Sequence, residues 1–94
     1  MAVLELTITP VGTDDTSMRK NVELAVSIIR EKGFNCDVTP LSTVIEGNAD
    51  ELFDLAKLVH SELLTQDGTD RLITSIKLDD RNDKKLNLDN QEKV

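Results

Sequence analysis

The residues best suited to chemistry crowd into one short stretch, Val38-Thr39-Pro40-Leu41-Ser42-Thr43-Val44-Ile45-Glu46-Gly47. Three hydroxyls and one carboxylate there can donate to and accept from a small polar ligand, and Pro40 stiffens the corner between them. Glu46 stands in a β-branched run beside Ile45, an unusual place for a charge that meets only water. The plainer alternative is that threonine suits any strand and that Glu46 points outward. His60 lies on a helical stretch one position off its apolar stripe. A lone histidine in such a place is more often half-buried and hydrogen-bonded than a ligand or a base. Cys36 falls in a strand with no base nearby and reads as a small buried hydrophobe rather than a nucleophile.

Other arrangements are excluded by what is missing. With one histidine and one cysteine in the chain, no metal-ligand spacing is available and no metal or other cofactor is expected. No Ser-His-acid set is visible, so no catalytic residues are assigned and the chain is expected not to be an enzyme. Pro10-Val11-Gly12-Thr13 leads from strand to helix, where backbone N–H groups can meet an anion. It lacks the glycines and the lysine of a phosphate loop, and Asp14 and Asp15 would repel phosphate.

Composition narrows the partners. Eleven basic residues face eighteen acidic ones, for a net charge of −7. That surface repels nucleic acid and anionic membranes. Trp and Tyr are absent and Phe occurs only at 34 and 53, so the platforms that stack single-stranded bases are missing too. No stretch approaches the ~20 apolar residues of a membrane span. The lone cysteine fits a reducing compartment, and a cytoplasmic location is expected. A chain of 94 residues makes one domain that hides only roughly 60–65% of its unfolded surface. With no disulfide framework or metal to compensate, homo-oligomerisation is expected.

The elements that must position these residues follow from periodicity. Leu4, Leu6 and Ile8 alternate with Glu5, Thr7 and Thr9, which predicts a half-buried strand over 3–9. Turn chemistry over 10–15 breaks it. A helix follows from about Ser17, with Val22, Ala25, Val26 and Ile29 as its stripe and Gly33 as its stop. Strands over 36–39 and 43–47 flank Pro40. Asn48 with Glu51 reads as an Asn version of the capping box. The second helix follows, with Leu52, Ala56, Val59 and Leu63 as its stripe, widened by Phe53 and Leu64, and Asp67-Gly68 as its end. A fourth strand from Arg71 to about Asp79 sets Leu72, Thr74, Ile76 and Leu78 on one face and Ile73 on the other. The order is β-α-β-β-α-β, an α+β ferredoxin-like plan with two helices on one face of a four-stranded antiparallel sheet. Residues 1–79 form that domain, and 80–94 are a polar arm or short helix. The sheet's other face is left bare and suits a second sheet.

Several segments, in order, resemble the thiamine-binding-protein-like family of small proteins. They are Thr9-Pro10-Val11-Gly12-Thr13 with Ser17, Leu41-Ser42-Thr43-Val44-Ile45-Glu46-Gly47, the helix ending in His60, Arg71, Ile76-Lys77-Leu78-Asp79-Asp80-Arg81, and Lys93-Val94. The resemblance implies the ferredoxin-like fold, subunits paired through their sheets, usually as a tetramer (a dimer of dimers), and binding of thiamine or its hydroxymethylpyrimidine half. It also implies ligand-binding roles for Thr39, Pro40, Thr43 and Glu46, with His60 in support. An aminopyrimidine offers a ring nitrogen that a carboxylate can hold through a shared proton, and an exocyclic amine for hydroxyl acceptors. Arg19 and Asn21 stand where the family commonly carries Ser and Tyr, and Leu41-Ser42 where it usually has Met-Gly. The lost aromatic removes a stacking partner for the ligand. Two alternatives stay open: an assembly protein with no small ligand, and an acylphosphatase-type enzyme, for which no basic, glycine-rich cradle is present.

Overall fold

A computed structural model of the chain describes residues 1–12, 17–66 and 69–83. The elements run β1 (Ala2–Val11), α1 (Ser17–Glu31), β2 (Cys36–Val38), β3 (Thr43–Gly47), α2 (Ala49–Leu64) and β4 (Arg71–Asp80). The strands form one antiparallel sheet in the order β2-β3-β1-β4. This is the expected ferredoxin-like plan: β3 lies between β1 and β2, and both helices pack on one face.

Register decides which residues share that face. Leu4 lies opposite Ile45 on one side and Leu78 on the other, and Leu6 opposite Thr43 and Ile76. Directly opposed residues project to the same side of a sheet. Ala2, Leu4, Leu6 and Ile8 therefore join Ile45 and Leu72 under the helices, where they form the core with Ala25, Ile28, Ile29, Leu52, Leu55, Ala56, Val59 and Leu63. Val3 and Val44 make a separate small cluster on the open face.

The first helix ends as its sequence predicts. Gly33 takes φ +86°, its N–H reaches the Arg30 carbonyl at 3.0 Å, and the Phe34 N–H reaches the Ile29 carbonyl at 3.3 Å. This pair of bonds is the Schellman ending, and it folds Phe34 back against the core. The second helix starts differently from the expected capping box. Asn48 occupies the cap position, but its side chain takes no backbone N–H. Its amide donates instead to the Glu51 carboxylate at 3.0 Å.

Packing also moves the apolar stripes. Among the described side chains of α1, Asn21, Ala25, Ile28 and Ile29 are buried, while Val22 and Val26 are only half-buried. In α2 Leu55 is buried, whereas Phe53 and Leu64 stay 49% and 42% exposed. At 100° per residue the last two fall just outside the arc that meets the sheet. On β4 the expected face is correct, yet only Leu72 is buried and Ile76 and Leu78 are exposed. β4 is an edge strand, so Ile76 and Leu78 stay open at the flank although Leu6 and Leu4, their neighbours on β1, are fully buried. The strand ends at Asp80, one residue past the expected boundary. The predicted turn at Thr13-Asp14-Asp15, the helix end at Asp67-Gly68 and the arm from Lys84 to Val94 lie outside the described residues. Among the described residues no helix is long and apolar enough to cross a membrane.

Candidate functional site

The β2–β3 hairpin is closed by its own hydroxyls. The Thr39 N–H donates to the Ser42 carbonyl at 2.8 Å. The Thr39 Oγ1 accepts the Leu41 and Ser42 N–H groups at 3.2 and 3.0 Å, and its own hydroxyl reaches the Ser42 carbonyl at 3.1 Å. Ser42 Oγ in turn donates to Glu5 Oε2 at 3.1 Å. These local bonds are what a threonine ahead of a turn is suited to make. They hold Pro40 and Leu41 at the corner, where Leu41 is fully turned to solvent.

Behind the corner lies a cleft of ≈ 160 Å³. Thr39, Pro40 and Thr43 line it from the hairpin, with Leu6 and Ile8 from β1 and Val22 from α1. Thr43 is 5% exposed and lies opposite Leu6, on the helix-covered side. A cavity of about 150 Å³ in another protein accepts a benzene ring, so this cleft has room for one six-membered ring.

The other two predicted site residues stand elsewhere. Glu46 is three positions from Thr43, so strand alternation turns it to the open face, opposite Val3. It is half-buried, and its Oε1 accepts the Asn35 side-chain amide at 2.9 Å. It lines a separate depression of ≈ 590 Å³ with Arg30, Asn35 and Asp37. His60 is half-buried on α2 and lies 2.7 Å through Nδ1 from the Thr74 hydroxyl of β4. The structure thus brings Thr39, Pro40 and Thr43 together, while Glu46 and His60 line neither that cleft nor each other's surroundings. Cys36 is half-buried and packs against the core. The charged run after β4 is in part self-satisfied, as Arg81 grips Asp83 through two bonds of 2.9 and 2.6 Å. Among the described residues no group of three or more His, Cys, Asp or Glu is arranged to hold a metal ion.

One polar residue that the apolar stripe did not include is buried. Asn21 is 4% exposed, and its Nδ2 has no hydrogen-bond partner. Its sequence signal was its spacing of four and eight residues from Ala25 and Ile29, which puts it on the buried side of α1.

Sheet order, crossover and register together define a ferredoxin-like α+β protein with a ring-sized cleft under its hairpin. The family model described as thiamine-binding protein matches residues 4–94. The chain belongs to that family. A UPF0045 protein of Staphylococcus xylosus, from the region 3′ of glkA, is 34% identical over 98 residues, covering 100% of this chain and 91% of its own length. The UPF0045 protein YqgV of Bacillus subtilis is 35% identical over 95 residues, covering 97% and 90%. Among solved structures, the hypothetical protein MJ1052 of Methanocaldococcus jannaschii superposes with a TM-score of 0.84 at 31% identity, over 94% of this chain and 88% of that one. A Thermotoga maritima protein described as a candidate in thiamine biosynthesis or salvage superposes with a TM-score of 0.75 at 20% identity, over 85% and 83%. At that identity the likeness is one of fold.

Proposed function

We propose that the chain is a non-catalytic binding protein for thiamine or its hydroxymethylpyrimidine half. The pyrimidine enters the hairpin cleft, and subunits assemble through the open faces of their sheets. The observation that carries this is the ≈ 160 Å³ cleft lined by Thr39, Pro40 and Thr43, in a chain of the thiamine-binding protein family. Leu6, Ile8 and Val22 supply apolar walls for a flat ring, and Thr43 supplies a hydroxyl at its edge. Glu46 is on the face through which subunits meet, together with Val3, Val44 and the 44%-exposed Ile73. The acidic surface suits the cationic thiazolium.

One observation favours a second function, an assembly protein with no small ligand: the Thr39 hydroxyl is already engaged within the hairpin. Thermal-shift titration with thiamine and hydroxymethylpyrimidine, with cytidine as control, separates the two. A site filled at 100 times its Kd adds about 2.7 kcal/mol. The binding protein shows a rise with the two thiamine-related compounds alone, and Thr43→Val reduces it. Glu46→Gln leaves that rise in place, because its side chain is outside the cleft. No rise at millimolar concentrations, with oligomer mass intact, would leave assembly as the function.

A further inference from the structure

The two edges of the sheet are finished differently. β2 is three residues long and runs into the corner at Pro40, so it presents little backbone to an incoming strand. β4 is ten residues long and contains no proline. It pairs with β1 from Arg71 to Asp80 without a break in register. Among the described residues no strand pairs with its outer side. Folded proteins blunt a free edge by shortening it, bulging it or setting proline in it, and β4 has none of these features. Its Ile76 and Leu78 on the helix side and Ile73 on the open side all stand exposed.

A second copy of β4 fits this edge in one register. An antiparallel pair about a two-fold axis normal to the sheet keeps the helices of both protomers on one side. Odd-numbered residues then oppose odd ones, and even oppose even. With Ser75 opposite the partner's Ser75, Arg71 meets the partner's Asp79 at each end of the ladder, and Ile73 meets the aliphatic stem of the partner's Lys77. On the helix side Leu72 meets the partner's Leu78, and Thr74 the partner's Ile76. Directly opposed pairs of opposite charge or of apolar type stabilise a ladder. The exposed half of each strand, Ile76 and Leu78, thus lies beside the covered half of the other, where Leu72 is buried and His60 contacts Thr74.

The neighbouring registers are worse. A slip of two residues in one direction sets Arg71 against Lys77, two like charges. The same slip in the other direction sets Ile73 against Asp79 and Leu72 against Asp80. In the favoured register the ladder stops where β4 begins, at Arg71, so Asp80 has no strand residue opposite it. Among the described residues neither Arg71 nor Asp79 has an ion-pair partner within the protomer.

We infer that β4 pairs antiparallel with β4 of a second copy of this chain, with Ser75 on the two-fold axis, so that two protomers share one continuous sheet. This edge contact is separate from the face-to-face contact proposed above. One uses the backbone at the rim, and the other uses side chains of the open face.

Cysteine cross-linking of the full chain tests it, in a Cys36→Ser background equilibrated in glutathione buffer. Opposed Cα atoms in an antiparallel ladder are about 4.5–5.5 Å apart, within the range of about 4.4–6.8 Å that a disulfide spans. Sheets packed face to face are about 10 Å apart, beyond that range. Ser75→Cys, a change at an exposed position, therefore gives disulfide-linked dimers through the edge contact alone. Ile73→Cys by itself does not, because its copy lies four residues along the strand, about 13 Å away; mixed with Lys77→Cys it links. Arg71→Asp lowers the linked fraction of Ser75→Cys, and Asp79→Arg in the same chain restores it. If Ser75→Cys stays unlinked while light scattering shows an oligomer, the edge contact is overturned and the face contact stands. Equal linking of Ser75→Cys and Ile73→Cys, or outer β4 amides protected from hydrogen exchange in a chain that stays monomeric, overturns it as well.

Discussion

Replacing Asn21 with leucine should make the protein more stable, the reverse of what most substitutions at buried positions do. Asn21 sits at 4% exposure in line with Ala25 and Ile29, and its Nδ2 has no partner. Burying an unpaired donor costs about 1–3 kcal/mol, and leucine removes that donor at similar volume. Even the low end of that range raises the melting temperature of a domain this size by about 4–8 °C. Calorimetry at fixed protomer concentration is the appropriate assay, because the proposed assembly would tie the melting temperature to concentration. Urea denaturation should show a higher midpoint with an unchanged slope. A melting temperature lowered by several degrees would refute the reasoning: it would mean that the amide has a partner in solution.

Three further outcomes follow from the packing. Leu4 is fully buried at the centre of the sheet, between Ile45 and Leu78; Leu4→Ala should cost about 2–5 kcal/mol, and a loss below about 1 kcal/mol in urea would mean that the core collapses to fill the space. A methyl on Gly47 would stand 3.0 Å from Phe34 Cε1 and 3.2 Å from Leu52 Cδ2. Gly47→Ala should therefore destabilise by about 1–3 kcal/mol, and a gain in stability would show that the Phe34 ring yields freely. Thr39→Val removes the hydroxyl that closes the hairpin. It should cost about 0.5–1.5 kcal/mol and speed hydrogen exchange at Leu41 and Ser42; unchanged exchange at both amides would show that the backbone alone holds the turn.

Much of the fold was legible because it is written in short-range terms. Alternation over Leu4, Leu6 and Ile8, the glycine stop at Gly33 and the proline corner at Pro40 each involve neighbours a few residues apart, and all three appear where expected. The capping box at Asn48 was misread because the motif specifies residue types, while the direction of the bond depends on the rotamer, and here the amide donates to Glu51. Phe53 and Leu64 were misjudged for a related reason. A helix tells which residues share an arc, but the width of the arc that is covered depends on the partner surface.

By itself the sequence determined the order of strands and helices, the ferredoxin-like plan and membership of a family, all carried by local periodicity and by motifs in linear order. Only the tertiary structure decided that Thr39, Pro40 and Thr43 share a cleft with Leu6 and Val22, while Glu46 looks out from the opposite face. It also decided that Asn21 is buried beside Thr65 and Thr69. Residues more than forty positions apart meet there, and no local rule sets their distance. The closure of the whole core does, through β1 pairing with β3 and β4 and both helices pressed onto that sheet.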